Sequence, residues 1–154
     1  MKLVIAEKPS VARDLARVLG ASTKRRSHFE GNGLQIAWCF GHMCELQTPE
    51  HYRSEWKQWK MQSLPMIPSQ FHIKLRKDVQ DHWKAMEKML QDANVTSVIN
   101  ACDAGREGEL IFRYVYQHSK CTKPIKRLWV SSLTDEAITK AWSDLKPGTD
   151  YDNL

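Results

Sequence analysis

The distribution of apolar and polar positions divides the chain into alternating strand and helix signals. "KLVIA" (2–6) is a short continuous apolar run, which predicts a buried parallel strand. Past Pro9, the residues Val11, Ala12, Leu15, Ala16, Val18 and Leu19 recur at helical spacing until Gly20 stops them. The chain therefore opens as strand, tight loop and helix. "LQIAWCF" (34–40) reads as a strand that pairs with residues near 27–30 through the turn Gly31-Asn32-Gly33, forming a β-hairpin. Residues 41–70 carry no clear period and hold Pro49, Pro65 and Pro68, so they are expected to be irregular, and segments of that kind tend to be functional or peripheral. "FHIKL" (71–75) offers a further strand, and an amphipathic helix runs from Val79 through Trp83, Met86, Met89 and Leu90. A strand over 95–100, a helix from about Glu109 to Gln117, a strand over 126–131 and a helix from Thr134 to Leu145 follow.

Strands alternating with helices predict an α/β domain with a mostly parallel sheet flanked by helices, with the hairpin as an insertion. The expected domain covers 1–146, and 147–154 is expected to begin a connection, since "KPGTDYDNL" looks like a new start inside a longer chain. At 154 residues, 42% hydrophobic and 27% charged, the chain suits one folded domain rather than two or a disordered segment. No apolar run reaches the roughly 18 residues of a membrane helix. Cys39, Cys44, Cys102 and Cys121 form no CxxC pair, which favours reduced thiols and a cytoplasmic setting, a bacterial-type cytosol or nucleoid. The net charge of +5 leans toward anionic partners without a dense basic stretch.

The chemistry concentrates at two strand ends. Glu7 directly follows the first strand, and Asp103, Arg106, Glu107 and Glu109 crowd the loop after 95–100. Ligand sites of open α/β sheets lie beyond the carboxyl ends of strands, so both loops are expected on one edge. Two carboxylates there, with Lys8 and Arg106 beside them, suit Mg²⁺ and phosphate. Read from the residues alone, an ordinary helix start with acids near its positive end fits equally well.

Four stretches then carry a family resemblance: "VIAEKPSVA" (4–12), "FGHMCEL" (40–46), "NACDAGREGELIFR" (100–113) and "RLWVSSLTDEAI" (127–138). Together they resemble the amino-terminal TOPRIM domain of a type IA DNA topoisomerase, with the topoisomerase III branch fitting best. The resemblance runs over nearly the whole chain and implies a Rossmann-like TOPRIM fold. It also implies a reaction in which a tyrosine cleaves one DNA strand through a 5′-phosphotyrosine link, Mg²⁺ is the cofactor, and single-stranded DNA is the partner. Glu7 matches the catalytic glutamate, placed to exchange a proton with the leaving 3′-hydroxyl, and Lys8 the lysine that neutralises the reacting phosphate. Asp103 and Glu107 match the outer acids of the DxDxE element, which with Glu7 form the metal site, and Arg106 matches its basic residue. Gly105 replaces the middle aspartate, which favours a single, loosely held Mg²⁺, and its freedom to adopt φ > 0 is expected to relax the loop. The tyrosine-bearing stretch of the family, resembling "YPRT", does not occur here, so these residues alone are expected not to cut DNA.

Weaker signals remain. "HYRSEWKQWK" (51–60) interleaves aromatics with cations; anchoring to the core is favoured for the tryptophans, with Lys57 and Lys60 left available to DNA phosphate. His42 stands in a Gly-His turn that the resemblance puts near the DNA path. Cys39, His42 and Cys44 lie close in sequence, but no convincing fourth ligand accompanies them for zinc. The rivals to a topoisomerase domain are a free-standing TOPRIM nuclease using metal-activated water and a non-catalytic docking module. The paired acids argue against the second.

Overall fold

The computed structural model describes residues 1–154, beginning with β1 (Lys2–Ala6), which threads the middle of the molecule. After it come α1 (Pro9–Leu19), β2 (Thr23–Lys24), β3 (His28–Gly31), β4 (Leu34–Trp38), β5 (Cys44–Leu46) and the single turn α2 (Pro49–Tyr52). The second half supplies β6 (Ile73–Leu75), α3 (Gln80–Gln91), β7 (Ser97–Ala101), α4 (Arg106–His118), β8 (Ile125–Arg127), α5 (Asp135–Ser143) and β9 (Lys146–Pro147).

The main sheet has the order β2-β3-β4-β1-β7-β8-β9. Its four central strands run parallel, with Ala6 opposite both Trp38 and Ala101, while the strands beyond them are antiparallel. Burial explains the apolar runs. Leu3 and Ile5 of β1 face one core with Val98, Met86, Leu90 and Phe112, so α3 and α4 cover that face. Val4 and Ala6 face the other core with Leu15, Ile36, Ile99 and Ile138, so α1 and α5 cover the opposite one. A strand flanked on both faces has no polar side, hence continuous runs such as "KLVIA". No helix is long and apolar enough to cross a membrane.

The hairpin forms as expected, with Gly31 opposite Leu34 and the corner residues Asn32 and Gly33 both at positive φ (50° and 72°), the backbone that a two-residue hairpin turn requires. Several boundaries differ from the sequence expectation. The segment 41–70 is not wholly irregular: β5 pairs with β6 in a separate two-stranded sheet, and 3₁₀ turns form at Ser54–Lys57 and Met61–Ser63. Each is too short to show a period. The strand expected over 126–131 is Ile125–Arg127, because after the Leu128 amide reaches the Asn100 carbonyl the chain leaves the ladder. Residues 147–154 lie on the domain: Pro147 opposes Lys126, and Gly148 packs so closely on Ile125 that a Cβ would fall 2.6 Å from its Cγ2.

Candidate metal and phosphate site

Adjacent parallel strands β1 and β7 end level with each other, and this brings the acids together. Glu7 Oε2 accepts a hydrogen bond of 3.3 Å from the Asp103 amide, across 96 residues of sequence. The loop after β4 closes the third side, since the Gly41 amide donates to the Glu7 carbonyl and the Cys39 amide to the Ala6 carbonyl. His42 Nε2 lies 2.8 Å from Glu107 Oε2, tying that loop to the first turn of α4. The sheet thus gathers Glu7, Lys8, His42, Asp103, Arg106 and Glu107 at one edge. Lys8 and Asp103 border a hollow of about 330 Å³, and Asp103, Arg106 and Glu107 another of about 790 Å³.

Both helices that begin at this edge aim their N-termini at it. Helix α1 starts from Lys8 with Pro9 in its first turn, and α4 starts from Gly105. Their first-turn amides have no partner within the helix, which makes such ends hospitable to anions. Gly105 itself is extended (φ 167°, ψ 175°), so the positive φ expected there is not used, and a Cβ would meet nothing within 4 Å. The extended residue also explains why α4 begins at Arg106 and not near Glu109: the chain turns directly from the loop into the helix.

Lys57 and Lys60 are not part of this cluster. They line a separate hollow of about 720 Å³ with Arg53 and Trp56. The two tryptophans part company: Trp56 is buried, with Arg53 stacked 5.1 Å over its ring, whereas Trp59 is 77% exposed and anchors nothing. Cys39, just after β4, and Cys44, the first residue of β5, both sit in the core, and burial pushes the Cys44 thiol up to about 12.

Three residues essential to the architecture lie inside the quoted stretches, but the motifs there assign them no role. Arg127 is fully buried, and its Nη1 and Nη2 each donate at 2.7 Å to the carbonyls of Cys102 and Asp103, the two residues that open the acidic loop. Burial pulls this guanidinium below its ordinary pKa, and Glu109 acts against that pull. Glu109, expected to serve the helix start, is turned inward instead: it accepts from Asn100 Nδ2 and Arg113 Nε, both at 2.7 Å, and lies 3.2 Å from Arg127 Nε. Gly108 brings α4 against the loop so closely that a Cβ there would overlap the Asp103 carbonyl oxygen. Sequence signals for these were faint: an arginine inside an apolar strand run, and a glycine inside a helical pattern.

As a metal site, the donor chemistry fits a hard cation. Glu7 reaches the Asp103 backbone, so two carboxylate-bearing residues stand at one strand edge, and Mg²⁺ is commonly held by one or two carboxylates with water and phosphate oxygens completing the shell. A ready-made protein cage is not assembled, since no group of three or more His, Cys, Asp or Glu side chains is gathered to hold a metal. Glu107, expected as the third ligand, is engaged by His42.

Comparison with known proteins agrees with this architecture. The chain is 44% identical over 153 residues to a DNA topoisomerase 3 of Shouchella clausii (strain KSM-K16) and 45% identical over 152 residues to one of Bacillus cereus (strain ATCC 14579). Each alignment covers 99% of this chain and 21% of the relative, so the chain spans about a fifth of the length of the curated relatives it matches. The structure of full-length topoisomerase I from Thermotoga maritima shares the fold, with a TM-score of 0.62 and 16% identity over 95% of this chain and 21% of that one. The Toprim domain model matches residues 2–133, from the start of β1 to the residue before the cap of α5, and the chain therefore belongs to the Toprim domain family.

Proposed function

We propose that this chain supplies the metal-holding and acid–base half of a composite active site in a type IA DNA topoisomerase of the topoisomerase III kind, acting on DNA in the cytosol. The observation that carries the reading is the contact between Glu7 and the Asp103 backbone at the carboxyl edge of neighbouring strands, flanked by Lys8, Arg106 and two helix N-termini. Such an edge can accept a phosphodiester. Lys8 and Arg106, both exposed, would pair with its oxygens, and the free amides of the helix starts would favour its charge. Glu7, half-buried and next to the first turn of α1, would exchange a proton with the 3′-oxygen of the broken strand.

Asp103 and Glu7, with Glu107 if it leaves His42, are the residues that would hold Mg²⁺. When bound, such a cation supplies neutralisation of phosphate charge. The nucleophile is assigned to a tyrosine outside these residues. Tyr52 pairs with His72, Tyr116 donates to the Lys123 carbonyl, Tyr114 packs at the edge of the core, and Tyr151 stacks on Trp129 at 5.1 Å. Lys57 and Lys60, away from the acids, would meet a strand of DNA elsewhere along its path.

The test is direct. Mn²⁺, titrated by water-proton relaxation, should bind the wild-type chain and bind Asp103→Asn more weakly. Supercoiled plasmid should be neither nicked nor relaxed by the chain in Mg²⁺. Equal Mn²⁺ binding by wild type and Asp103→Asn overturns the metal site. Metal-dependent nicking by the purified chain replaces the topoisomerase reading with the hydrolytic nuclease.

A further inference from the structure

A buried ion pair, Arg127 with Glu109, lies behind the acidic loop, and on its outer side Glu109 and Arg113 also line the hollow that Asp103, Arg106 and Glu107 border. Arg127 is 1% exposed and Glu109 is 6% exposed. Arg127 donates to the Asn100, Cys102 and Asp103 carbonyls at 3.1, 2.7 and 2.7 Å, so a single guanidinium clamps the end of β7 and the loop that follows. Asn100 adds to the clamp, since its Oδ1 accepts from the Cys102 amide while its Nδ2 donates to Glu109. On its far side Glu109 meets Arg113, which donates to the Gly148 carbonyl at 2.8 Å and pairs with Asp152 at 2.8 Å. Trp129 and Tyr151 lie over the Arg127 guanidinium at 4.9 and 5.9 Å and shield it from water.

A buried ion pair is poor value as a pure stabiliser, because apolar replacements of similar volume often serve as well or better. Its geometry here does something that apolar residues cannot. Planar guanidinium donors fix two successive carbonyls, and those carbonyls set the direction of the Asp103 backbone. We propose that Arg127 is the positioning residue of the acidic loop, that Glu109 is its counter-ion, and that Arg113 links this clamp to the 148–152 turn. The proposal rests on the metal reading of Asp103 given above. Outer partners of this kind typically change metal affinity by roughly 10–100-fold when removed.

The experiment uses the 154-residue chain, Mn²⁺ as the probe, and three readouts: relaxation titration, thermal unfolding and amide hydrogen exchange. Arg127→Lys and Glu109→Gln should each weaken Mn²⁺ binding by roughly 10–100-fold. They should also speed exchange at the Cys102 and Asp103 amides while β1 amides stay protected. Arg113→Gln, which keeps the buried pair, should weaken binding to a smaller extent. The double variant R127M/E109L should regain thermal stability over either single variant without regaining Mn²⁺ affinity. Recovery of affinity together with stability would show that the pair serves folding alone, and the positioning role would be overturned. Wild-type affinity in folded Arg127→Lys and Glu109→Gln overturns it as well. Wild-type affinity in Arg113→Gln removes the link to the turn. If wild type and Asp103→Asn bind Mn²⁺ equally, the site reading fails and the metal part of the proposal with it. Unchanged loop exchange in Arg127→Lys, by contrast, sinks the clamp whatever the metal does.

Discussion

Gly108→Ala tests how tightly α4 and the acidic loop are fitted. An added Cβ would stand 2.8 Å from the Asp103 nitrogen and 2.9 Å from its carbonyl carbon, with the oxygen closer still. Ordinary contact starts near 3.4 Å, so the nitrogen alone calls for about 0.6 Å of recoil and the closer oxygen for more. Nothing flexible can absorb the overlap, since every clashing atom is backbone. The same Asp103 carbonyl is held by Arg127 at 2.7 Å, so recoil strains or breaks that charge-assisted bond. Overpacking usually costs about 1–3 kcal/mol and a hydrogen bond to a charged group contributes about 1.5–3 kcal/mol, giving an expected loss of about 2.5–6 kcal/mol where that bond breaks. For a chain of this size that is a fall in Tm of roughly 5–24 °C. Urea unfolding followed by tryptophan fluorescence should show a lower midpoint at an unchanged slope. Mn²⁺ affinity of the folded variant should drop because Asp103 has moved. A variant within about 0.5 kcal/mol of wild type and with unchanged Mn²⁺ affinity would refute the reasoning, since surface substitutions remote from any special feature behave that way.

Gly105→Asp should tighten Mn²⁺ binding, because the backbone there is extended and a side chain has open space for an added oxygen ligand; weaker binding in titration would show that the new carboxylate cannot reach the cation. Lys57→Ala with Lys60→Ala should lower affinity for a single-stranded oligonucleotide and flatten its salt dependence, and Trp59→Ala should lower it further if bases stack on that exposed ring; unchanged affinity at low salt assigns the segment to structure alone. Burial holds His28 below its ordinary pKa of 6.5, so the unfolded chain takes up a proton that the folded chain resists. Stability is full above about pH 6.5 and falls as pH drops toward the folded value. Urea titrations from pH 8 to 5 should show this slope reduced in His28→Gln, and an identical slope would assign it to other groups.

The parts of the fold that were legible in the sequence are those whose physics is local and repeated. Apolar runs identified β1, β4 and β7 because strands with helices on both faces have no polar side, α1 and α3 showed their buried stripes at helical spacing, and α5 was marked by its Thr134-Asp135-Glu136 start. Glu7 and Asp103 could be placed on one edge because parallel strands carry their following loops the same way. What escaped depended on partners far apart in the chain. Arg127 in "KRLWV" looked like a polar interruption of a strand; its burial needs Glu109, and nothing local shows that Glu109 turns inward rather than toward solvent. Trp56 and Trp59, three apart, look equivalent until the 3₁₀ turn at Ser54–Lys57 buries one and exposes the other.

On the proposed topoisomerase reading, the arrangement of the acids bears on why an open site would suit strand cleavage and rejoining. A cage of three or four carboxylates holds a divalent cation without help, and a phosphate entering it must displace ligands or meet repulsion. Here Glu7 is occupied at one oxygen by the Asp103 amide, Glu107 is engaged by His42, and glycine stands at 105. That leaves the Asp103 carboxylate as the acid most directly presented at the edge. A cation held so loosely by protein would gain most of its affinity when phosphate oxygens join the shell, so metal and DNA would bind with positive coupling. The expected signature is reciprocal: a single-stranded oligonucleotide should tighten Mn²⁺ binding by the same factor that Mn²⁺ tightens the oligonucleotide. Gly105→Asp, by supplying a protein oxygen in place of one from phosphate, should reduce that factor even as it strengthens binding of the metal alone. Coupling that grows in Gly105→Asp would mean that the phosphate does not complete the shell, and that the cation, where it binds, is held by protein oxygens alone.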